Sequence, residues 1–291
     1  MTEVDQYVRA ASLADVFSQW QTLSPPVKLL CGGTDLFVKL PNAKAPYISL
    51  IDISRVPELS GIERVENYLR IGAATKLTDV VESTVFSGAA QILPYGASQV
   101  GSLQIRNLAS LGGNLCNAAP SADTSAPLLA LDAEVELHSA FAQRRIKLAE
   151  FFVGPGQTVL ADQEMVSAIW VPDQPQDAAG MYVKHCVRGA MELALVGVAM
   201  VLWRENGKLA GRIALGAVAP TPLRAYQAEA LLGELDSLGP DECEQIAQQV
   251  VKAARPISDV RASADYRTAM IGQITKRILT QVYEQLERGL E

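Results

Sequence analysis

Two glycine pairs are the feature of this chain whose residue types and spacing could do chemistry. The first stands in Cys31-Gly32-Gly33-Thr34-Asp35 and the second, 80 residues later, in Leu111-Gly112-Gly113-Asn114. Glycine lets a main chain adopt positive φ and approach a ligand closely, so the N–H groups of such a turn can converge on an anion. We predict that each pair forms a turn and that the two turns hold a diphosphate from two sides.

The residues that follow the second pair are small and polar, and Asp123 supplies the one carboxylate of residues 115–123. This composition is typical of a pocket for a buried ribose, whose hydroxyl groups need hydrogen-bond acceptors. Neither pair matches G-x-G-x-x-G or G-x-x-x-x-G-K-[ST]. The motifs therefore give no support to a Rossmann or P-loop site.

The sequence around both pairs resembles the flavin-binding loops of the FAD subunit of molybdenum hydroxylases. That family includes xanthine dehydrogenases, carbon monoxide dehydrogenases and aldehyde oxidoreductases. The resemblance is carried, in the family's order, by residues 28–36, 104–114, 120–123, 151–158, 164–166 and 184–194. It implies an α+β fold, in which a two-lobed FAD-binding domain of the PCMH type precedes an α+β C-terminal domain with an antiparallel sheet and helices.

The domain boundaries follow from the resemblance and from a proline-rich, polar segment at residues 172–177. We place the first lobe of the FAD-binding domain at residues 1–55 and the second lobe at residues 56–173. The C-terminal domain then covers residues 178–291.

The resemblance further implies that this chain binds FAD through residues of both loops and of the segments that close over them. The predicted cofactor-binding residues are Leu29, Leu30, Cys31, Gly32, Gly33, Thr34, Asp35, Leu36, Val100, Ser110, Gly113, Asn114, Cys116, Asn117, Asp123, Val166 and Lys184. We predict no catalytic residue and no metal ligand in this chain.

In the first loop, the main-chain N–H groups of Gly32, Gly33, Thr34 and Asp35 are expected to cradle the diphosphate. The Thr34 hydroxyl adds a donor. Asp35 has a second interpretation as the N-cap of a following helix, and both roles can hold together.

The second loop is expected to complete this cradle through Ser110, Gly113 and Asn114. Asn117 lies three residues further on, within reach of the same ligand. Asp123 either accepts hydrogen bonds from ribose hydroxyls or caps the helix that follows it.

The flavin ring is expected to lie near Lys184, whose positive charge would stabilise reduced flavin. The alternative is a solvated lysine on an edge strand. Val100 and Val166 either flank the ring or belong to the ordinary core. Arg106 either pairs with phosphate or holds its own loop through a carboxylate.

The elements that must position these residues follow from hydrophobic periodicity and from capping and turn residues. Ser12 is the expected N-cap of the first helix. The predicted helices cover residues 12–21, 76–83, 91–99, 124–131, 226–232, 241–254 and 263–286. The predicted strands cover residues 27–30, 47–52, 68–72, 133–138, 164–171, 181–187, 193–204 and 211–219.

Composition excludes several other classes of protein. The chain has 291 residues, a net charge of −7, and no basic stripe of the kind that binds nucleic acid. It has no apolar run of the roughly 18–20 residues that a membrane span needs, and its acidic start does not match a signal peptide. We therefore predict a cytoplasmic protein.

The cysteines and histidines of the chain indicate whether it could bind a metal centre by itself. The four cysteines form no C-x-x-C pair, and the two histidines lie in no ligand motif. An iron–sulfur or zinc site made by this chain alone is therefore not expected.

The resemblance implies an electron relay. A small partner subunit with [2Fe-2S] clusters would pass electrons to the FAD of this chain, which delivers them to NAD⁺ or another acceptor, while a large partner subunit with molybdopterin oxidises the substrate. A xanthine dehydrogenase-like complex is the leading expectation, with carbon monoxide, aldehyde or nicotinate-type systems as alternatives. Two further hypotheses are a free-standing flavoprotein oxidoreductase and a binding or assembly module without flavin.

Overall fold

The computed structural model describes residues 2–42, 45–189 and 191–289 of the chain. Its first lobe is a three-stranded parallel sheet in the order β1-β3-β2, in which β2 is an edge strand. Ser12 caps the first helix as predicted, because its side chain accepts a hydrogen bond from the Asp15 N–H. The elements are β1 (Glu3–Arg9), α1 (Leu13–Thr22), β2 (Val27–Leu30), α2 (Leu36–Lys39) and β3 (Tyr47–Asp52).

The second lobe is built on a five-stranded antiparallel sheet in the order β4-β5-β10-β6-β7. One face of the sheet packs on short helices through Ile71, Val135 and Ile169. The elements are β4 (Ile62–Val65), β5 (Tyr68–Gly72), α3 (Leu77–Glu82), α4 (Ile92–Ser98), α5 (Leu103–Arg106), α6 (Leu111–Cys116), α7 (Ser125–Ala130), β6 (Glu134–His138), β7 (Gln143–Lys147), β8 (Phe152–Gly154), β9 (Gln157–Thr158) and β10 (Met165–Pro172).

The C-terminal domain is a four-stranded antiparallel sheet in the order β11-β12-β13-β14, followed by three helices. The elements are β11 (Ala179–His185), β12 (Val196–Glu205), β13 (Lys208–Gly216), β14 (Leu223–Arg224), α8 (Tyr226–Leu232), α9 (Pro240–Ala253) and α10 (Ala264–Gly289). Single turns of 3-10 helix lie elsewhere in the chain at Leu40–Asn42, Pro57–Leu59, Gly88–Gln91 and Leu148–Glu150.

Most of the long apolar run at residues 193–203 forms strand β12. Val198 and Met200 point into a core shared with α9 and α10, whereas Ala199 and Val201 point into the core of the second lobe. Successive side chains of a strand face opposite sides, so a strand buried on both faces is apolar at every position. The C-terminal sheet therefore joins the two cores.

The α+β fold class is confirmed, with two lobes followed by an antiparallel sheet with helices. The expected turn at the second glycine pair is wrong, because Leu111–Cys116 form α6. Strand β1 (Glu3–Arg9) is not among the predicted elements, because almost every side chain in it is exposed and no hydrophobic alternation marks it. No helix in residues 2–42, 45–189 and 191–289 is long and apolar enough to cross a membrane.

Candidate functional site

A cleft of about 870 Å³ lies between the two lobes. It runs along the edge strand β2 and the first glycine loop on one side, and along α6 and residues 117–123 on the other. Every predicted cofactor-binding residue lines this cleft except Lys184. The structure therefore brings together residues that are up to 137 positions apart in the sequence, from Leu29 to Val166.

The first glycine loop offers unused main-chain donors to the cleft. In the described part of the chain, the N–H groups of Gly33, Thr34 and Asp35 donate no hydrogen bond. Gly33 has a φ of +69°, a conformation that glycine adopts without strain. Asp35 precedes α2, but its side chain makes no capping hydrogen bond, so the capping interpretation is not supported.

Gly32 has a different role from the one expected of a ligand-binding glycine. A Cβ at this position would lie 2.0 Å from the carbonyl oxygen of Leu108. The absence of a side chain lets the first loop pack directly on the segment that precedes α6. Gly32 thus brings the two walls of the cleft together.

The N–H groups at the start of α6 are already occupied. Leu111 and Gly112 donate to the carbonyls of Thr75 and Ala73, and Asn114 donates to the carbonyl of Ser110. The Ser110 hydroxyl, which caps α6, accepts from Gly113 at 3.2 Å. The second loop therefore presents side chains to the cleft rather than free main-chain donors.

Two asparagine side chains of this loop are fixed by neighbours. The Asn114 Oδ1 accepts from the Thr124 hydroxyl at 2.6 Å, which turns the amide NH₂ group toward other partners. The Asn117 Oδ1 accepts from the ammonium of Lys39, which reaches across from the first lobe. Both asparagines line the cleft and keep donors available.

Asp123 and Lys184 form one buried ion pair. The Lys184 Nζ lies 2.8 Å from Asp123 Oδ2 and 3.0 Å from the carbonyl of Gln99, and both charged side chains are 7% exposed. Tyr182 donates to Asp123 Oδ1 at 2.9 Å. Burial raises the pKa of the Asp123 carboxyl, and the hydrogen bonds from Lys184 and Tyr182 act in the opposite direction.

The ion pair rules out both alternatives, a helix cap for Asp123 and a solvated side chain for Lys184. Asp123 does not cap α7, because its carboxylate is bound to β11. Lys184 lies on an edge strand as the alternative assumed, yet its side chain is buried and paired rather than solvated. It touches the cleft only through Asp123, and its charge is compensated there.

Val100 and Val166 line the cleft and also pack with the second lobe's core, so the core interpretation holds, and their place beside the flavin ring stays a prediction. Arg106 donates to the carbonyl of Val100 at 3.0 Å. It therefore holds its own loop, as one alternative stated, but through a carbonyl rather than a carboxylate.

The apolar and thiol residues of the predicted set line the walls. Leu29 and Cys31 pack on the α1 side of the first lobe, and Leu30 and Leu36 pack on the opposite side. Burial raises the pKa of the Cys31 thiol, and it raises the pKa of Cys116 to about 12. Because the thiolate is the nucleophile, neither cysteine is activated.

Sequence reasoning missed three residues with a clear place at the site. Tyr182 lies two residues before Lys184 on β11, and residues at i and i+2 share a face of a strand, so this spacing was a usable signal. Gly96 on α4 lets the helix approach the main chain of Asp123, since a Cβ there would lie 2.5 Å from the Asp123 carbonyl oxygen. No sequence pattern pointed to Lys39. Its contact with Asn117 joins two lobes and 78 positions of the chain, so it depends on tertiary packing.

Comparisons with known proteins identify the relatives of this fold. Residues 2–174 match the family described as FAD binding domain in molybdopterin dehydrogenase, and residues 181–282 match the CO dehydrogenase flavoprotein C-terminal domain. The chain is 35% identical to a xanthine dehydrogenase FAD-binding subunit of Escherichia coli O157:H7, over 97% of both chains. It is 31% identical to a carbon monoxide dehydrogenase medium chain of Hydrogenophaga pseudoflava, over 96% of both chains.

A solved structure shows the same fold. The chain superimposes on a chain of the carbon monoxide dehydrogenase from Hydrogenophaga pseudoflava that lacks the Mo-pyranopterin moiety of its cofactor. The TM-score is 0.89 at 31% sequence identity, and the match covers 96% of this chain and 97% of the other.

Proposed function

This chain belongs to the FAD-binding subunits of the molybdenum hydroxylase family of dehydrogenases, and from that premise we propose that it passes electrons from an iron–sulfur partner to NAD⁺ or another acceptor within a xanthine dehydrogenase-like complex. It is an oxidoreductase subunit with an FAD-binding domain. We propose that FAD lies in the cleft between the two lobes.

The observation that carries this proposal is the combination of donors and acceptor in one cleft. Its volume of about 870 Å³ falls within the range of about 300–1,000 Å³ that is usual for small-molecule and cofactor pockets. Gly33, Thr34 and Asp35 supply unused N–H donors at one wall, and Asp123 supplies a buried carboxylate at the other. A dinucleotide needs both, since its diphosphate accepts hydrogen bonds and its sugar hydroxyls donate them.

The residues that would hold each part of the ligand follow from their chemistry. Main-chain N–H groups of Gly33, Thr34 and Asp35 would bind the diphosphate, and Lys39 would contribute a positive charge. Asp123 would accept from sugar hydroxyls. The side chains of the second loop, from Ser110, Asn114 and Asn117, would add donors on the opposite side.

The cleft also carries side chains that would exclude water from a flat aromatic ring. Val100 and Val166 lie on the second lobe, and Met191 and Leu193 reach the cleft from the segment between β11 and β12. Bound FAD supplies the ability to exchange electrons singly or in pairs, which suits a relay between metal clusters and a hydride acceptor. The ion pair of Asp123 and Lys184 keeps the local charge close to neutral.

We propose that two partner subunits complete the enzyme, a small one with [2Fe-2S] clusters and a large one with molybdopterin. Support comes from the family resemblance and from relatives that are named as medium chains or FAD-binding subunits. A purine of the xanthine type is the proposed substrate, because two relatives named as xanthine dehydrogenase FAD-binding subunits are 35% identical to this chain over 97% of its length. Carbon monoxide, aldehyde and nicotinate remain the alternatives, and a cytoplasmic location stays a prediction.

The free-standing flavoprotein hypothesis has less support. It requires a histidine or cysteine that tethers the flavin, or a catalytic base near its ring. Neither His138 nor His185 lines the cleft, and the two cysteines that do line it, Cys31 and Cys116, have raised pKa values.

The first experiment is the visible absorption spectrum of the purified full chain, followed by acid release of any bound flavin. We expect a two-band flavin spectrum and release of about one FAD per chain. A colourless protein that also fails to take up added FAD would overturn the proposed cofactor site and favour the binding-module hypothesis.

The second experiment addresses the complex. A tag on this chain should co-purify an iron–sulfur subunit and a molybdopterin subunit, and anaerobic xanthine should bleach the flavin of that complex. Bleaching by carbon monoxide, glyceraldehyde or nicotinate instead would identify one of the alternative systems. The same reduced complex, mixed with NAD⁺, reports whether NAD⁺ is the acceptor.

A further inference from the structure

Tyr182 is a buried tyrosine with no direct contact to the proposed cofactor cleft. Its side chain is 4% exposed, and its hydroxyl donates to Asp123 Oδ1 at 2.9 Å. Burial, reinforced by the nearby Asp123 carboxylate, raises the pKa of Tyr182 well above its ordinary value. The hydroxyl therefore stays protonated and remains a donor throughout the physiological pH range.

Asp123 is held from several directions. Lys184 binds Oδ2 and Tyr182 binds Oδ1, both from the same face of β11. On the main-chain side, Gly96 of α4 approaches so closely that a Cβ there would lie 2.5 Å from the Asp123 carbonyl oxygen. Neither the side chain nor the main chain of Asp123 is free to reorient.

A carboxylate has about four lone-pair sites on its two oxygens, and the protein donors occupy one on each oxygen. The remaining sites are available to a ligand, because Asp123 also lines the cleft. Burial favours the protonated form of the Asp123 carboxyl, which would lose acceptor capacity, whereas the Lys184 cation favours the charged form. Each additional donor to the charged form opposes that loss.

We propose that Tyr182 is a positioning residue of the cofactor site, whose hydroxyl works with Lys184 to orient the Asp123 carboxylate as an acceptor for sugar hydroxyl groups of the bound dinucleotide. This inference rests on the proposed FAD site in the cleft. It makes the C-terminal domain a contributor to cofactor binding, through a residue that does not itself line the cleft.

The test is a titration of the deflavinated full chain with FAD, comparing wild type with Tyr182→Phe. Phenylalanine keeps the ring and removes one hydroxyl group. We expect the Kd for FAD to rise about tenfold, the order expected if a misoriented Asp123 carboxylate loses one hydrogen bond from a sugar hydroxyl group. The matched control is Tyr95→Phe, since the Tyr95 ring packs edge-on against Tyr182 but its hydroxyl makes no hydrogen bond in the described structure.

A double-mutant cycle separates positioning from general destabilisation. If Tyr182 acts through Asp123, Tyr182→Phe should change the Kd less than about twofold in an Asp123→Asn background. A tenfold change in that background, or no change in the wild-type background, would overturn the proposal. Failure of the wild-type chain to bind FAD would instead overturn the proposed function.

The dependence of FAD affinity on pH provides a further test, because a purely structural role of Tyr182 would leave the shape of that dependence unchanged. The titratable groups that face Asp123 are Lys184 and Tyr182, and Tyr95 and Cys186 face Tyr182 in turn. Loss of the Tyr182 donor raises the Asp123 pKa further, so FAD affinity should start to fall at a higher pH in Tyr182→Phe. A loss of equal size at every pH would contradict the proposal.

A folding defect in Tyr182→Phe is checked by circular dichroism and thermal melting. Should that variant fail to fold, Asp123→Asn carries the test. Wild-type affinity should weaken at acid pH, and this weakening should vanish in Asp123→Asn. An Asp123→Asn variant with wild-type affinity and the wild-type pH profile would overturn the proposal.

Discussion

The absence of a side chain at Gly32 allows the main chains of the two lobes to pack against each other. A methyl group at Gly32 would lie 2.0 Å from the Leu108 carbonyl oxygen and 2.9 Å from the Ala109 Cα. Both neighbours are main-chain atoms, so they cannot move aside as a flexible side chain would. We expect Gly32→Ala to lower the free energy of unfolding by about 1–3 kcal/mol, as overpacking does in other cores, and to weaken FAD binding.

The measurement is thermal denaturation together with FAD titration. Gly272→Ala is the matched control, because a Cβ at Gly272 in α10 would make an ordinary contact of 3.5 Å with the Val251 side chain. Alanine is favoured over glycine in a helix by about 1 kcal/mol, so this control should be neutral or stabilising. Equal melting temperatures for the two variants would refute the lobe-packing role of Gly32.

The sequence and its family resemblance could predict residues that line the cleft, but not the pairing of Asp123 with Lys184. Asp123 was identified as the one carboxylate among small residues, and Lys184 as a cation within a family-like segment. Their ion pair spans 61 residues and joins a loop of the second lobe to a strand of the C-terminal domain. Such a contact depends on how β11 docks against α4, which no local pattern encodes.

Elements were predictable where hydrophobic periodicity was clear. Helices such as α8 and strands such as β2 occur at the residues where the pattern placed them. The second glycine pair was misread because glycine has low helix propensity, whereas α6 is held by tertiary hydrogen bonds from Gly112 to Ala73 and from Leu111 to Thr75. The Ser110 cap was the local signal that could have revealed the helix.

Helix α10 anchors the segment between β11 and β12 through Arg267. Arg267, in the first turns of α10, is 1% exposed and donates to the carbonyl of Leu195 at 2.8 Å. Its guanidinium also binds Asp259 at 2.9 Å. Met191 and Leu193, which line the cleft, lie just before the anchored carbonyl. The long C-terminal helix therefore fixes a segment that lines the cleft between the lobes.

We expect Arg267→Met to lower the free energy of unfolding by about 2–3 kcal/mol, because a buried carbonyl loses its donor. Amide hydrogen exchange over residues 186–195 should become faster, and FAD should dissociate faster. Arg288→Met is the control, since Arg288 lies on the same helix with 71% of its side chain exposed. Unchanged exchange in residues 186–195 of Arg267→Met would show that α10 does not anchor them.

At the scale of the whole molecule, the FAD-binding and C-terminal domains share a core. Ala199 and Val201 of β12 pack with the second lobe's hydrophobic cluster, while Val198 and Met200 pack under α9 and α10. Polar contacts cross the same boundary, since Arg212 donates to the Ala130 carbonyl at 2.8 Å. Neither half can unfold without exposing apolar surface of the other.

We therefore expect a single calorimetric transition for the flavin-free chain, with equal calorimetric and van't Hoff enthalpies. FAD should raise the midpoint without splitting the peak, because a ligand that binds only the folded state stabilises every element that unfolds with its site. Arg212→Met should lower the midpoint by removing one contact across the boundary. Two resolved transitions in the wild-type chain would mean that β12 does not couple the domains. In that case Lys184 and Tyr182 could no longer hold Asp123 once the C-terminal domain had melted, so FAD should raise the midpoint of that domain's transition, in which its site loses these contacts.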